Sequence, residues 1–317
     1  MRCRFVYSPD YDFSLLGLER LHPFDARRAS RAWSSFRGAN RKAAKKAWLQ
    51  PTAPVTDDEL ELVHTRDYLR SLRSSAVVAR AVEVWPVRLL PSFLLRRYLL
   101  APMRLAARGT LMATACALAG ESAMNFGGGY HHAFRDRGEG FCLFADVALA
   151  IAAHRASGRL GREERVAVID LDAHRGNGFA SIVAGDPRIA VLDVFNFQVY
   201  PGLPDADLTD RPFLIPVHSR TSDQAYLGAL REALPRFLDA AGPVRLAFYN
   251  AGTDILAGDR LGMLAVSPQG VAARDRMVID SLAARGIPTV VTTSGGYTKA
   301  SHELIAKLAM HIAVAPR

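Results

Sequence analysis

The sequence predicts an α/β fold built on a central, mostly parallel sheet with helices on both faces. Three observations point there. Short apolar, β-branched runs such as residues 166–170 recur along the chain, and runs of that kind suit strands buried on both faces. Each run leads through a polar or glycine-rich loop into a helical pattern, the alternation from which parallel sheets are wound. Polar clusters stand just after the runs, where open α/β sheets bind ligands. The 317 residues are 50% hydrophobic and 22% charged, enough for a large core. No linker interrupts the alternation, so one domain over residues 1–317 is expected.

Taken in order, residues 4–7 read as a first strand, ended by Ser8-Pro9-Asp10. Residues 26–47 read as one basic helix. Thr56-Asp-Asp-Glu59 has capping-box spacing, which starts a helix over 57–73. Residues 89–103 are apolar but broken by Pro91, Arg96, Arg97 and Pro102, so they suit a core helix or an apolar surface feature. A small-residue helix over 109–120 precedes Phe126-Gly-Gly-Gly129-Tyr130-His131-His132, a flexible loop ending in paired imidazoles. A second tight loop, 138–142, leads into a helix over 145–157. Strands follow at 166–170, 189–194 and 244–249, and a last one at 287–293. The intervening helices are 223–240, which tolerates Pro235, and 268–285, with Ser267 as cap and Pro268 at its first position. A final helix covers 300–313.

The net charge is +9. Most of the excess lies between Arg20 and Gln50, where nine Lys/Arg face one acid, Asp25. Such a segment could attract nucleic acid, anionic lipid or an acidic partner. Trp33, Phe36 and Trp48 interleave no recognisable nucleic-acid motif, so a solvated surface patch is expected and nucleic acid is not. Cys3, Cys116 and Cys142 are odd in number and widely spaced, which fits a reducing, cytoplasmic setting without disulfides. The N-terminus shows no apolar signal region, and no apolar run approaches the ~20 residues of a membrane span.

The chemistry centres on Asp170-Leu-Asp172-Ala-His174, at the end of a strand. In extended backbone side chains alternate, so Asp170, Asp172 and His174 share one face. Three such groups repel or stay unpaired unless something positive sits among them. A divalent cation satisfies them, and Asp with His suits zinc; a polar strand end bonding its own loop is the plainer alternative. Asp254 follows a second strand and Tyr297 a third. All these clusters should converge at the carboxyl edge of the sheet.

Beside that reading, the sequence resembles histone deacetylases, class IV in particular. The stretches that carry the likeness are Tyr7-Ser-Pro, Leu18-Glu-Arg-Leu-His-Pro-Phe-Asp25, Gly127-Gly-Gly-Tyr-His-His132, Gly140-Phe-Cys142, Ile169-Asp-Leu-Asp-Ala-His174 with Gly176-Asn-Gly178, Tyr200-Pro-Gly202, Tyr249-Asn-Ala-Gly-Thr-Asp-Ile-Leu256 with Gly258-Asp-Arg-Leu-Gly262, and Ser294-Gly-Gly-Tyr297. The resemblance implies an arginase/deacetylase-type fold and zinc-dependent hydrolysis of acyl-lysine. It implies Asp172, His174 and Asp254 as ligands of one Zn2+. His131 and His132 would flank the attacking water, and Tyr297 would donate to the carbonyl oxygen. Asp170 would orient His131, and Asn177 would stand beside His132 where many relatives carry Asp. An amide orients imidazole but stabilises its cation less, which leaves the division of labour between the two histidines open. Phe141 and Leu261, and less directly Tyr130, match the walls of an acyl-lysine tunnel. Cys142 matches a position near its foot, and Gly295 and Gly296 would let backbone approach the ligand. Structural potassium (K+) would use carbonyls around Asp170, Asp172 and His174.

The substrate stays open between an acyl-lysine protein or peptide and a small acylated amine such as an acetylpolyamine. Acyl length is open too. Class IV likeness brings in long fatty acyl groups, and the small residues Gly127–Gly129 and Cys142 would leave room for a chain. A two-metal, arginase-type ureohydrolase needs further carboxylates that the Asp172-Ala-His174-Arg-Gly-Asn177 turn and the lone Asp254 do not supply. An inactive acyl-lysine-binding module is opposed by the full set of chemical groups. The oligomeric state is not legible.

Overall fold

The computed structural model describes residues 3–203 and 213–314. Its centre is one eight-stranded sheet of β1 (Cys3–Val6), β2 (Trp48–Leu49), β3 (Ser122–Asn125), β4 (Arg165–Asp170), β5 (Ile189–Asn196), β6 (Leu214–Val217), β7 (Val244–Asn250) and β8 (Thr289–Thr292). The spatial order is β2-β1-β3-β8-β7-β4-β5-β6, and every pairing is parallel. The central parallel sheet with helices on both faces expected from the sequence is observed.

Period-2 alternation divides the inner strands between two cores. Phe5, Ile169, Tyr249 and Val291 face one cluster, which helices Arg28–Ala39, Asp223–Ala241, Pro268–Ala284 and Ser301–Val314 cover. Their neighbours Val6, Val168, Phe248 and Val290 face the other, under helices Ala101–Leu118 and Asp146–Ala156. Both faces are thus dry, which is why the strands read as unbroken apolar runs.

Several helix boundaries differ from the sequence expectation. The basic run forms two helices, Arg28–Ala39 and Arg41–Ala47, because Asn40 leaves helical backbone and caps the second through Ala43 N. The Thr56 capping box forms as predicted, but its helix stops at Leu60. A new one, Arg66–Ser71, starts under a Thr65 cap. Short strands β2, β3 and β6 lack a readable pattern of their own and form by pairing with longer neighbours. The Ser267 cap is as expected, its hydroxyl accepting from Gly270 N. No helix among the described residues is long and apolar enough to cross a membrane.

Candidate active site

Four adjacent strands, β3-β8-β7-β4, end side by side. Their carboxyl-terminal loops carry the paired histidines, Ser294–Tyr297, Asn250–Asp254 and Asp170–His174. Asp170 lies opposite Asn250 in the β4–β7 register, so the loops bearing Asp172 and Asp254 meet although about eighty residues separate them in the chain. Arg274, fully buried on the helix behind, donates to Leu171 O at 2.9 Å and to Gly252 O at 2.5 Å. One guanidinium therefore ties both loops together.

Asp172, His174 and Asp254 each offer one ligand atom, all within 4.8 Å of one another. His174 Nδ1 lies 3.0 Å from Asp172 Oδ1 and 3.0 Å from Asp254 Oδ2. The carboxylates are 1% and 0% exposed, so water cannot neutralise them. Burial, together with the charge of Asp172, raises the Asp254 carboxyl to about 7. Burial opposes charge on His174, yet the two carboxylates push it well above the ordinary imidazole range. Two buried carboxylates and an imidazole converging on one point form a donor set that a divalent cation fits, zinc above all. Asp170 is not part of this group. The backbone bends after β4, and its Oδ2 goes to His131 Nδ1 at 2.7 Å. Gly295 is needed where it stands: its N–H donates to Asp172 Oδ2 at 2.7 Å, and a Cβ there would strike oxygens of both Asp172 and Asp254.

The paired histidines differ by their partners. His131 has a carboxylate, Asp170, behind Nδ1, and Asp172 Oδ1 is 3.7 Å from its Nε2. Burial works against its charge, but these acids raise it to about 9. His132 Nδ1 meets Asn177 Oδ1 at 2.7 Å. Burial, then the charges of His131 and His174, drive His132 well below the ordinary range. The surroundings thus favour charge on one imidazole and disfavour it on its neighbour, ring centroids 4.1 Å away.

A cavity of about 930 Å3, its open mouth included, joins these groups to an apolar region. His131, His132, Asp172 and Tyr297 line it together with Tyr130, Phe141, Cys142, Gly127–Gly129 and Gly295. Tyr297 is held by its backbone N–H on Asp259 Oδ2 at 2.8 Å. Its ring centroid is 5.8 Å from Phe141 and 6.1 Å from His174, and burial, with the charges of Asp254 and Asp172, keeps its phenol protonated. Phe141 adopts φ 67°, strained for a bulky side chain, and its N–H is pinned on Ala81 O at 3.0 Å. Leu261 and Gly296 stand outside the cavity lining. The Leu261 N–H caps Asp259, and Gly296 O accepts from Arg28 at 3.3 Å.

Sequence reasoning did not single out several supports. Asp146 accepts from Thr110 Oγ1 at 2.6 Å and from the N–H groups of Gly129 and Tyr130, so it shapes the glycine loop. Asn250 Nδ2 donates to Asp170 Oδ1 and to Ser294 Oγ, both at 3.0 Å. Arg28 belongs to the basic run but is only 4% exposed. Its guanidinium donates to the carbonyls of Ser294 and Gly296, stacks 4.3 Å over Phe24 and borders the cavity. The expected surface patch thus surrenders one member to the site. Asp146 stands at the start of the expected helix 145–157 and Asn250 directly follows the expected strand 244–249, and those positions were the available signal.

The chain is similar to known proteins in sequence and in fold. Residues 22–313 match the model of the histone deacetylase domain. The chain is 43% identical over 304 residues to "Histone deacetylase 2" of Arabidopsis thaliana, covering 95% of this chain and 76% of that protein. It is 30% identical over 248 residues to the acetoin utilization protein AcuC of Bacillus subtilis, covering 72% and 60% respectively. The crystal structure of the HDA15 HD domain superposes with a TM-score of 0.76 at 19% identity, over 100% of this chain and 91% of that one.

Proposed function

The chain belongs to the histone deacetylase family of hydrolases, and we propose that it hydrolyses the amide of acyl-lysine, with Asp172, His174 and Asp254 holding one zinc ion. The observation that carries this reading is the meeting of that triad, both histidines and Tyr297 at one end of an apolar cavity.

When bound there, zinc supplies Lewis acidity that polarises the acyl carbonyl and makes water more acidic. The remaining work falls to side chains. His132, neutral and backed by an amide, takes the proton of the attacking water at Nε2 and returns it to the leaving lysine amine. His131, kept cationic by Asp170, stabilises the negative charge that develops. The Tyr297 hydroxyl donates to the carbonyl oxygen as it becomes an oxyanion. Tyr130 and Phe141 flank the substrate's methylene stem, and Asp259 holds Tyr297 in place.

The acyl group extends past the metal triad into the apolar part of the cavity, between Phe13, Leu15, Val82, Leu99 and Met103. That lining supports long acyl chains over acetyl. Purified protein should release tetradecanoate from a myristoyl-lysine peptide faster than acetate from the acetyl peptide, and a chelator should stop both. Equal or faster turnover of the acetyl peptide removes the long-chain reading. Preference for an N-acetylpolyamine over both peptides moves the substrate to small acylated amines.

A further inference from the structure

The contacts behind His132 do not stop at Asn177. Asn177 Oδ1 faces His132 Nδ1 at 2.7 Å and accepts the Gly178 N–H at 3.0 Å. Asn177 Nδ2 donates to the Tyr200 hydroxyl at 3.3 Å, and that hydroxyl donates to Glu139 Oε2 at 2.6 Å. The Tyr200 ring stands edge-on to His132, centroids 5.0 Å apart. Glu139 Oε1 is engaged separately by Arg137 Nε at 2.5 Å. An unbroken chain of hydrogen bonds therefore runs from a buried imidazole to a carboxylate at the surface.

The chain has a direction, and Glu139 sets it. An ionised carboxylate only accepts. The single Tyr200 proton must then point at Glu139, so the phenol oxygen can only accept from Asn177. That turns the amide nitrogen toward Tyr200 and the amide oxygen toward His132. An oxygen there requires the proton on His132 Nδ1, which leaves the Nε2 lone pair free. Amide orientation and imidazole tautomer are otherwise open choices; here the terminal acceptor, together with the Gly178 N–H, decides both. Without Glu139 the Tyr200 hydroxyl can donate to the amide instead, and the amide can turn its NH2 toward Nδ1. His132 would then carry its proton on Nε2, where it cannot accept another. The Gly178 N–H resists that rotation, so the loss is partial.

We propose that Glu139 and Tyr200 are positioning residues that hold His132 in its Nδ1–H tautomer through Asn177. The inference rests on the deacylase reading only for the consequence, since His132 needs that tautomer to act as a base.

The test has two readouts on the full chain. Nitrogen-15 NMR of histidine-labelled protein, with His132 assigned through a His132→Ala variant, should show a protonated Nδ1 and a bare Nε2. Glu139→Ala and Tyr200→Phe should each shift His132 toward the other tautomer. Glu139→Gln, whose amide oxygen can still accept, should keep the wild-type pattern. In acyl-lysine peptide hydrolysis, the Ala and Phe variants should lose about tenfold in kcat, the effect of one directed hydrogen bond, with KM within about twofold. The double variant should be no worse than the poorer single one, and Glu139→Gln should recover most of the rate. A His132 spectrum identical in wild type, Glu139→Ala and Tyr200→Phe overturns the proposal, as does an Nε2–H tautomer in the wild type. If the wild type hydrolyses no acyl-lysine peptide, the deacylase reading falls, and the spectra still decide the role of Glu139.

Discussion

The polar end of the cavity and its apolar floor are made differently. The polar end comes from four loops that follow neighbouring strands, and the parallel register of β3, β8, β7 and β4 delivers their side chains to one point. Further polar groups then pin these loops: Arg274 and Asn250 from behind, Asp146 from the side. The floor comes from the N-terminal third, where Tyr11, Phe13, Leu15, Leu99, Met103 and Ala106 contribute apolar surface and few directed bonds. The difference assigns the chemistry to loops that tolerate almost no displacement. On the proposed reading, choice of acyl group lies with this apolar layer, which holds none of the groups assigned to the chemistry.

If the contrast holds, substitutions lose effect from the polar end outward. Asp254→Asn removes one of two carboxylates facing His174 Nδ1. Peptide hydrolysis should fall by at least about a thousandfold while circular dichroism stays that of a folded chain. Tyr297→Phe removes the proposed oxyanion donor, and steady-state kinetics should show kcat down by about 10²–10³ with KM little changed. At the floor, Met103→Trp should cut the ratio of myristoyl to acetyl turnover by about tenfold or more, because a larger ring occupies space the chain needs. A ratio that does not move would mean that the floor does not receive the acyl group. The smallest effect belongs to Asn177→Asp. In the proposed mechanism His132 works unprotonated, so activity should be lost as pH falls through its pKa. A carboxylate behind Nδ1 raises that pKa, and the acid limb of the pH–rate profile should move upward by about one unit.

The same contrast explains what could be read from the chain. Asp172, His174, Asp254, His131, His132 and Tyr297 were legible because each stands within a few residues of an apolar run or a glycine cluster, and chain order alone predicts where strand ends gather. The helices with local signals, Ser267-Pro268 among them, were legible for the same reason. Arg28 was not: within a run of cations nothing local distinguishes the one whose partners, Ser294 and Gly296, lie more than 260 residues away. The floor was hidden likewise. Residues 89–103 are apolar on too many sides for periodicity to say which face turns inward, and the structure buries Leu99 and Met103 while exposing Leu89 and Phe93. The break at Asn40 turned on competition between a side-chain cap and a continuing helix, which propensity alone does not resolve.

The proposed hydrolysis depends on one divalent cation held among Asp172, His174 and Asp254. Elemental analysis of purified protein, paired with acyl-lysine hydrolysis before and after chelation and after zinc is restored, tests it most directly. About one zinc per chain is expected, with activity lost with the metal and regained with it, and neither metal nor activity in Asp254→Asn. Metal-free protein that hydrolyses the peptide at the original rate would contradict it.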